Sequence, residues 1–176
     1  MIPSMRNRQY MQMAWVVPDL EAAIAQWLKT TGAGPFFLFD ALHFDDANYR
    51  GTPMDIAPCR AAIGQHGDMQ IELIQPLDNS PGIWGDVGPR DKVHFHHTGL
   101  YCTDYEAEKA ALMAGGAEVA FEGLMMGAKT GYVDTTPTLG FMTEIITANP
   151  VAEQVFAAFR SAAEGWDGSD PIRTLG

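Results

Sequence analysis

Two glutamates, Glu72 and Glu144, lie inside otherwise apolar runs, Gln70-Ile-Glu72-Leu-Ile and Thr143-Glu144-Ile-Ile. Side chains alternate along a strand, so each glutamate points away from its apolar neighbours. A carboxylate driven into a core without a partner costs several kcal/mol. Two of them at matched places call for a shared partner, and a divalent cation is the simplest. The plainer alternative is that both line the wet face of an antiparallel sheet.

Two lone-pair donors open the copies of an internal repeat. The segment Gln12 to Ala22 recurs as His97 to Ala107 at a constant offset of 85 residues. Gln12 shares a strand face with Ala14 and Val16, and His97 shares one with Gly99 and Tyr101. Small residues thus follow the donor in both copies. The alternatives are an ordinary polar strand residue for Gln12 and a hydrogen-bonded sheet histidine for His97. Strict alternation puts His94 and His96 opposite His97, facing solvent. His43 and His66 fall in loop or turn positions and receive no role.

The elements around these residues follow from local signals. Each copy reads as a short apolar strand, a capping Asp and a helix. Asp19 and Asp104 can accept a backbone N–H that the first turn leaves unpaired. The first helix is expected over about 20–29, with Ala23, Ile24, Trp27 and Leu28 as its buried stripe and Gly32 as its stop. Gly115 and Gly116 end the second helix. Strands are expected at 35–40, 55–63 and 69–75, with a turn at 66–68, and again at 117–123, 130–134 and 141–147. Segment 76–92, with three Pro and three Gly, is the linker. Segment 41–53 is extra to the repeat and is expected to be a mobile loop. A helix over about 151–163 follows, with Asn149 as cap and Pro150 at the first position.

The fold class is therefore α+β: two β-α-β-β-β modules, 9–76 and 93–148, forming one cupped mixed sheet, with a C-terminal helix and tail over 149–176. The set of motifs, from Met11 to Thr147, resembles the vicinal oxygen chelate superfamily of glyoxalase I, methylmalonyl-CoA epimerase, extradiol dioxygenases and bleomycin-resistance proteins. In that superfamily each half gives one metal ligand from its first strand and one from its last. The resemblance implies Gln12, Glu72, His97 and Glu144 as metal ligands here, a set similar to one found in glyoxalase I. Such a set suits zinc, nickel, cobalt, manganese or iron. Two carboxylates would neutralise the ion, and two positions would remain for water or a bidentate substrate.

The resemblance further implies an enzyme, a metal-dependent lyase or isomerase that moves a proton next to a carbonyl through an enediolate or enolate. The catalytic glutamate would be Glu144, or else Glu72. Two other readings compete. One is a metal-free small-molecule binding protein like the bleomycin-resistance proteins. The other is an extradiol-type dioxygenase, disfavoured because such enzymes use two His and one carboxylate and Gln12 occupies one of the positions.

Composition narrows the partners. A formal net charge of −11 disfavours nucleic acid. No apolar run approaches the roughly 20 residues that span a bilayer. The polar start, with Arg6 and Arg8, has no secretory signal character, so a cytoplasmic location is expected. Cys59 and Cys102 are then thiols, with Cys102 in the core. Arg50, Arg60 and Arg90 are candidate anion anchors or plain surface charges. Phe36, Phe37, Phe39, Met125 and Met126 read as core in preference to substrate wall. The partner is a small-molecule substrate, small or apolar, and the apolar face of the C-terminal helix suggests a homodimer.

Overall fold

The computed structural model describes residues 8–175, so Arg6 lies outside them. The first copy of the repeat forms strand β1 (Arg8–Val16) and helix α1 (Leu20–Thr31). Asp19 caps α1 by accepting Ala22 N–H at 2.9 Å, and Gly32 closes it with a left-handed φ of 72°. Three strands complete the half: β2 (Phe36–Phe39), β5 (Cys59–His66) and β6 (Met69–Pro76). Between them lies a hairpin of β3 (Asp45–Tyr49) and β4 (Thr52–Pro53). The second copy forms β7 (His94–Cys102), α2 (Tyr105–Ala114), β8 (Glu118–Met125), β9 (Ala128–Asp134), a short helix α3 (Thr136–Leu139) and β10 (Met142–Thr147). Helix α4 (Pro150–Ala163) and strand β11 (Ile172–Thr174) follow.

All eleven strands join one mixed sheet in the order β11-β2-β5-β6-β1-β7-β10-β9-β8-β3-β4. The α+β reading therefore holds. The halves mirror each other about the antiparallel pair β1·β7, and in each half the first strand lies parallel to the last. This arrangement brings the two opening strands and the two closing strands to the centre of the sheet.

Segment 41–53, expected as a mobile loop, is instead the β3–β4 hairpin. β3 pairs antiparallel with β8, so the first half extends the outer edge of the second. Gln12 and Glu72 are 60 positions apart and His97 and Glu144 are 47. The surplus of 13 equals the length of this segment. Its Arg50 donates to Asp86 at 2.8 Å and to Asp134 at 2.9 Å, tying hairpin, linker and β9 together. Strand β11, which adds parallel to β2, carried no strand signal long enough to read.

The apolar face of α4 packs in part on the body of the chain. Phe156 and Phe159 are buried, and the Phe159 ring lies 4.9 Å from that of Phe37. No helix among the described residues is long and apolar enough to cross a membrane.

Candidate metal centre

The register sets two rows across the sheet centre. In one, Ala14 on β1 lies between Glu72 on β6 and His97 on β7. In the other, Gly99 on β7 lies between Gln12 on β1 and Glu144 on β10. Each row thus has two polar side chains flanking a residue small enough to leave room between them. Donor atoms of Glu72, His97 and Glu144 lie within 4.8 Å of one another. His97 Nε2 is 3.3 Å from Glu72 Oε2 and 3.3 Å from Glu144 Oε2.

Gln12 lines the same cavity as the two glutamates. Its Nε2 donates to Gln70 Oε1 at 3.2 Å, which leaves Oε1 buried without a hydrogen-bond donor. His97 Nε2 is likewise buried and makes no hydrogen bond of acceptable geometry. Buried polar atoms in proteins are almost always satisfied. Two orphaned lone-pair atoms beside two buried carboxylates are what a divalent cation requires, so the donor set fits one.

Burial raises the Glu72 carboxyl, with His97 pulling it back. Burial opposes charge on His97 as well, but Glu144 and Glu72 outweigh it and raise the imidazole to about 9. A proton can therefore occupy His97 Nε2 when no other cation does.

His96 does not face solvent, contrary to the alternation argument. The β1·β7 register slips between Ala14–His97 and Trp15–Phe95, so β7 has a bulge at His96. Two successive residues then oppose one, and alternation breaks. His96 is fully buried against Trp84, ring centroids 5.2 Å apart. Its Nε2 lies 2.9 Å from the carbonyl oxygen of Ile83, so Nε2 carries a proton and donates. Burial and the nearby His97 lower His96 to about 3, so its Nδ1 is bare. His97 Nδ1 is 3.0 Å away and must donate to it. The lone pair of neutral His97 is thereby left on Nε2, aimed at the glutamates. His94 is half-buried, with Nδ1 3.0 Å from the carbonyl of Lys92.

The segment expected only as a linker thus positions the site. A 3-10 turn at Ile83–Gly85 presents the Ile83 carbonyl, and Trp84 Nε1 anchors the turn on the Ala57 carbonyl at 2.9 Å. Tyr132 is a second residue that sequence reasoning missed. It pairs with Glu144 across β9·β10, interacts with that carboxylate through its hydroxyl, and sets its ring edge-on 5.1 Å from His97. The one available signal, a tyrosine within an apolar strand next to the glutamate strand, becomes informative only once strand pairing is known.

The candidate anion anchors are engaged elsewhere. Arg50 is paired as above, Arg60 bonds Glu21 at 2.8 Å, and Arg90 donates to the carbonyls of Asp78 and Ser80. Phe36 and Phe37 are core, whereas Phe39, Met125 and Met126 line the cavity. Cys59 and Cys102 are both buried.

Gly99 offers a direct probe of the fourth donor. A Cβ there would meet Gln12 Cβ at 2.8 Å and Oε1 at 3.0 Å. Gly99→Ala is expected to push Gln12 aside, destabilise the fold by about 1–3 kcal/mol and weaken divalent-metal binding. Unchanged metal affinity by chelator competition would show that Gln12 is no ligand.

A family model for the Glyoxalase/Bleomycin resistance protein/Dioxygenase superfamily matches residues 11–134. No curated protein sequence matches the chain. Among solved structures it resembles methylmalonyl-CoA epimerase from Mycobacterium tuberculosis, at 17% identity over 82% of this chain and 91% of that one, TM-score 0.58. A hypothetical protein from Bacillus halodurans C-125 aligns at 13% identity over 81% and 95%, TM-score 0.56. A Streptomyces coelicolor methylmalonyl-CoA epimerase in complex with 2-nitronate-propionyl-CoA aligns at 18% over 82% and 97%, TM-score 0.56. At such identities these likenesses establish the fold alone.

Proposed function

The chain belongs to the Glyoxalase/Bleomycin resistance protein/Dioxygenase superfamily, and from that premise we propose that it is a metal-dependent lyase or isomerase. It moves a proton next to a carbonyl. The observation that carries this reading is the convergence of Glu72, His97 Nε2 and Glu144 on one buried point, with Gln12 Oε1 unsatisfied beside it.

Gln12, Glu72, His97 and Glu144 would hold the divalent ion. When bound it would supply Lewis-acid stabilisation of the enediolate- or enolate-like charge next to the carbonyl. Glu144 moves the proton, with the Tyr132 hydroxyl orienting its carboxylate. Glu72 stays as a charged ligand. Apolar walls exclude water, which strengthens each electrostatic contact within.

The two glutamates are separable by experiment. After reconstitution with zinc, nickel, cobalt or manganese, metal content is measured together with deuterium uptake at the carbinol carbon of phenacyl alcohol. Glu144→Gln is expected to keep most of the metal and lose about 10²–10⁴-fold in exchange. Glu72→Gln is expected to lose metal first. Exchange that survives complete chelation would end the proposal.

A metal-free binding role is the second reading, favoured by the largely apolar cavity wall. It requires ligand affinity that chelators leave unchanged. A two-histidine, one-carboxylate oxygenase site has less support, because Gln12 stands at one position and His96 Nε2 is committed to Ile83.

A further inference from the structure

We propose that the cavity over Glu72 and Glu144 takes an uncharged, largely apolar body behind the metal-chelating oxygen pair that the reading above implies. The C-terminal segment contributes to that preference. The oxygen pair rests on the metal reading above, and the apolar, uncharged body does not.

The cavity holds about 710 Å³ of space, its open mouth included. Leu42 and Ile63 wall it from the first half, Met125 and Ile146 from the second, and Phe156 and Phe159 from α4. At its floor stand Gln12 and the two glutamates. No Lys, Arg or His lines it among the described residues. Lys129, next to lining residue Ala128, is instead drawn to Glu106 at 3.5 Å and to the Tyr105 ring. An acyl-coenzyme A or a glutathione conjugate brings several negative charges, and such groups are normally held by Arg, Lys or a helix N-terminus. Here the acidic lining groups are the Glu72 and Glu144 carboxyls, whose charge a divalent cation would neutralise and no more. The N-terminus of α4 reaches the lining at Asn149 and Ala152, but its Val151 and Ala152 N–H groups already donate to Asn149 Oδ1, and His97 is already paired with both glutamates, so none of these is free for an anionic body.

Part of the apolar wall comes from the chain's end. Val155, Phe156, Phe159 and Leu175 all lie beyond residue 134, where the family match stops. Helix α4 closes over the cup of the sheet and replaces what would be an open, wet face. Met126, 43% exposed, stands at the rim.

Two titrations test the idea separately from catalysis. In metal-free protein, the uncharged dye N-phenylnaphthylamine is compared with its sulfonated counterpart, anilinonaphthalenesulfonate. The neutral dye is expected to bind at least tenfold tighter. Met126→Lys and Val155→Lys, which add a cation at the rim and on α4, should each narrow that gap. In zinc-loaded protein, aceto-, butano-, hexano- and octanohydroxamic acids, neutral when free, present one constant chelating oxygen pair on growing apolar chains. Affinity should rise by about fourfold per added methylene. Equal or tighter binding of the sulfonate, or hydroxamate affinity independent of chain length, would overturn the proposal. Failure of zinc to bind would refute the metal reading and its oxygen pair, while the dye result still decides the apolar body.

Discussion

Replacing His97 with Leu is expected to lower the melting temperature of the metal-free protein by about 10 °C near neutral pH. In that state the imidazole, raised to about 9 by Glu144 and Glu72, is the cation between two buried carboxylates. Removing one partner of a buried ionic group costs about 3–5 kcal/mol, because the charges left behind stay dry and unpaired. For a chain of this size each kcal/mol moves the midpoint by about 2–4 °C. The same geometry sets the pH dependence. A histidine whose folded pKa lies above its unfolded value of about 6.5 contributes fully below that value. The contribution disappears as pH rises through 9. Metal-free wild type should therefore lose stability between pH 6.5 and 9.5, on the order of 1–3 kcal/mol. With saturating divalent metal the trend should reverse, because protons compete with the metal for His97. Thermal unfolding with and without chelator reads all three effects. A flat pH profile in the chelated protein, or an unchanged midpoint for His97→Leu, would contradict the arrangement.

The second large effect is expected at a residue that is itself no ligand. His96→Phe should weaken divalent-metal binding by about 10–100-fold. The phenyl ring can still pack on Trp84 but cannot accept the His97 Nδ1 proton. Neutral His97 then gains by moving its proton to Nε2, where it can still meet a glutamate but cannot bind metal. His96→Gln, whose amide oxygen can accept, should recover part of the affinity. Chelator competition measures the loss, and ¹⁵N shifts of the His97 ring identify the nitrogen that carries the proton. A merely structural role for His96 would lower stability and leave the tautomer as it was.

Much of this architecture could be read from residue order alone. The 85-residue repeat, Asp19 and Asp104 as caps, Gly32 as a stop and the polar residues inside apolar strands all depend on local physics. A cap needs one side chain near one helix end, and a half-buried strand needs only alternation. Glu72, His97 and Glu144 stood out for that reason, since a charge or imidazole in an apolar run conflicts with its surroundings wherever the strand is placed.

Tertiary structure decided what depends on pairing. The bulge at His96 exists only because β7 meets β1, and it turned a residue expected in solvent into the one that orients the His97 ring. The Ile83 carbonyl, the Tyr132 hydroxyl and the β3–β4 hairpin likewise act on partners distant in sequence. So do the phenylalanines of α4, which close a cavity floored by residues from both halves. Periodicity reports which face of an element is apolar; what that face meets is set by long-range pairing and packing, to which no single segment's pattern is sensitive.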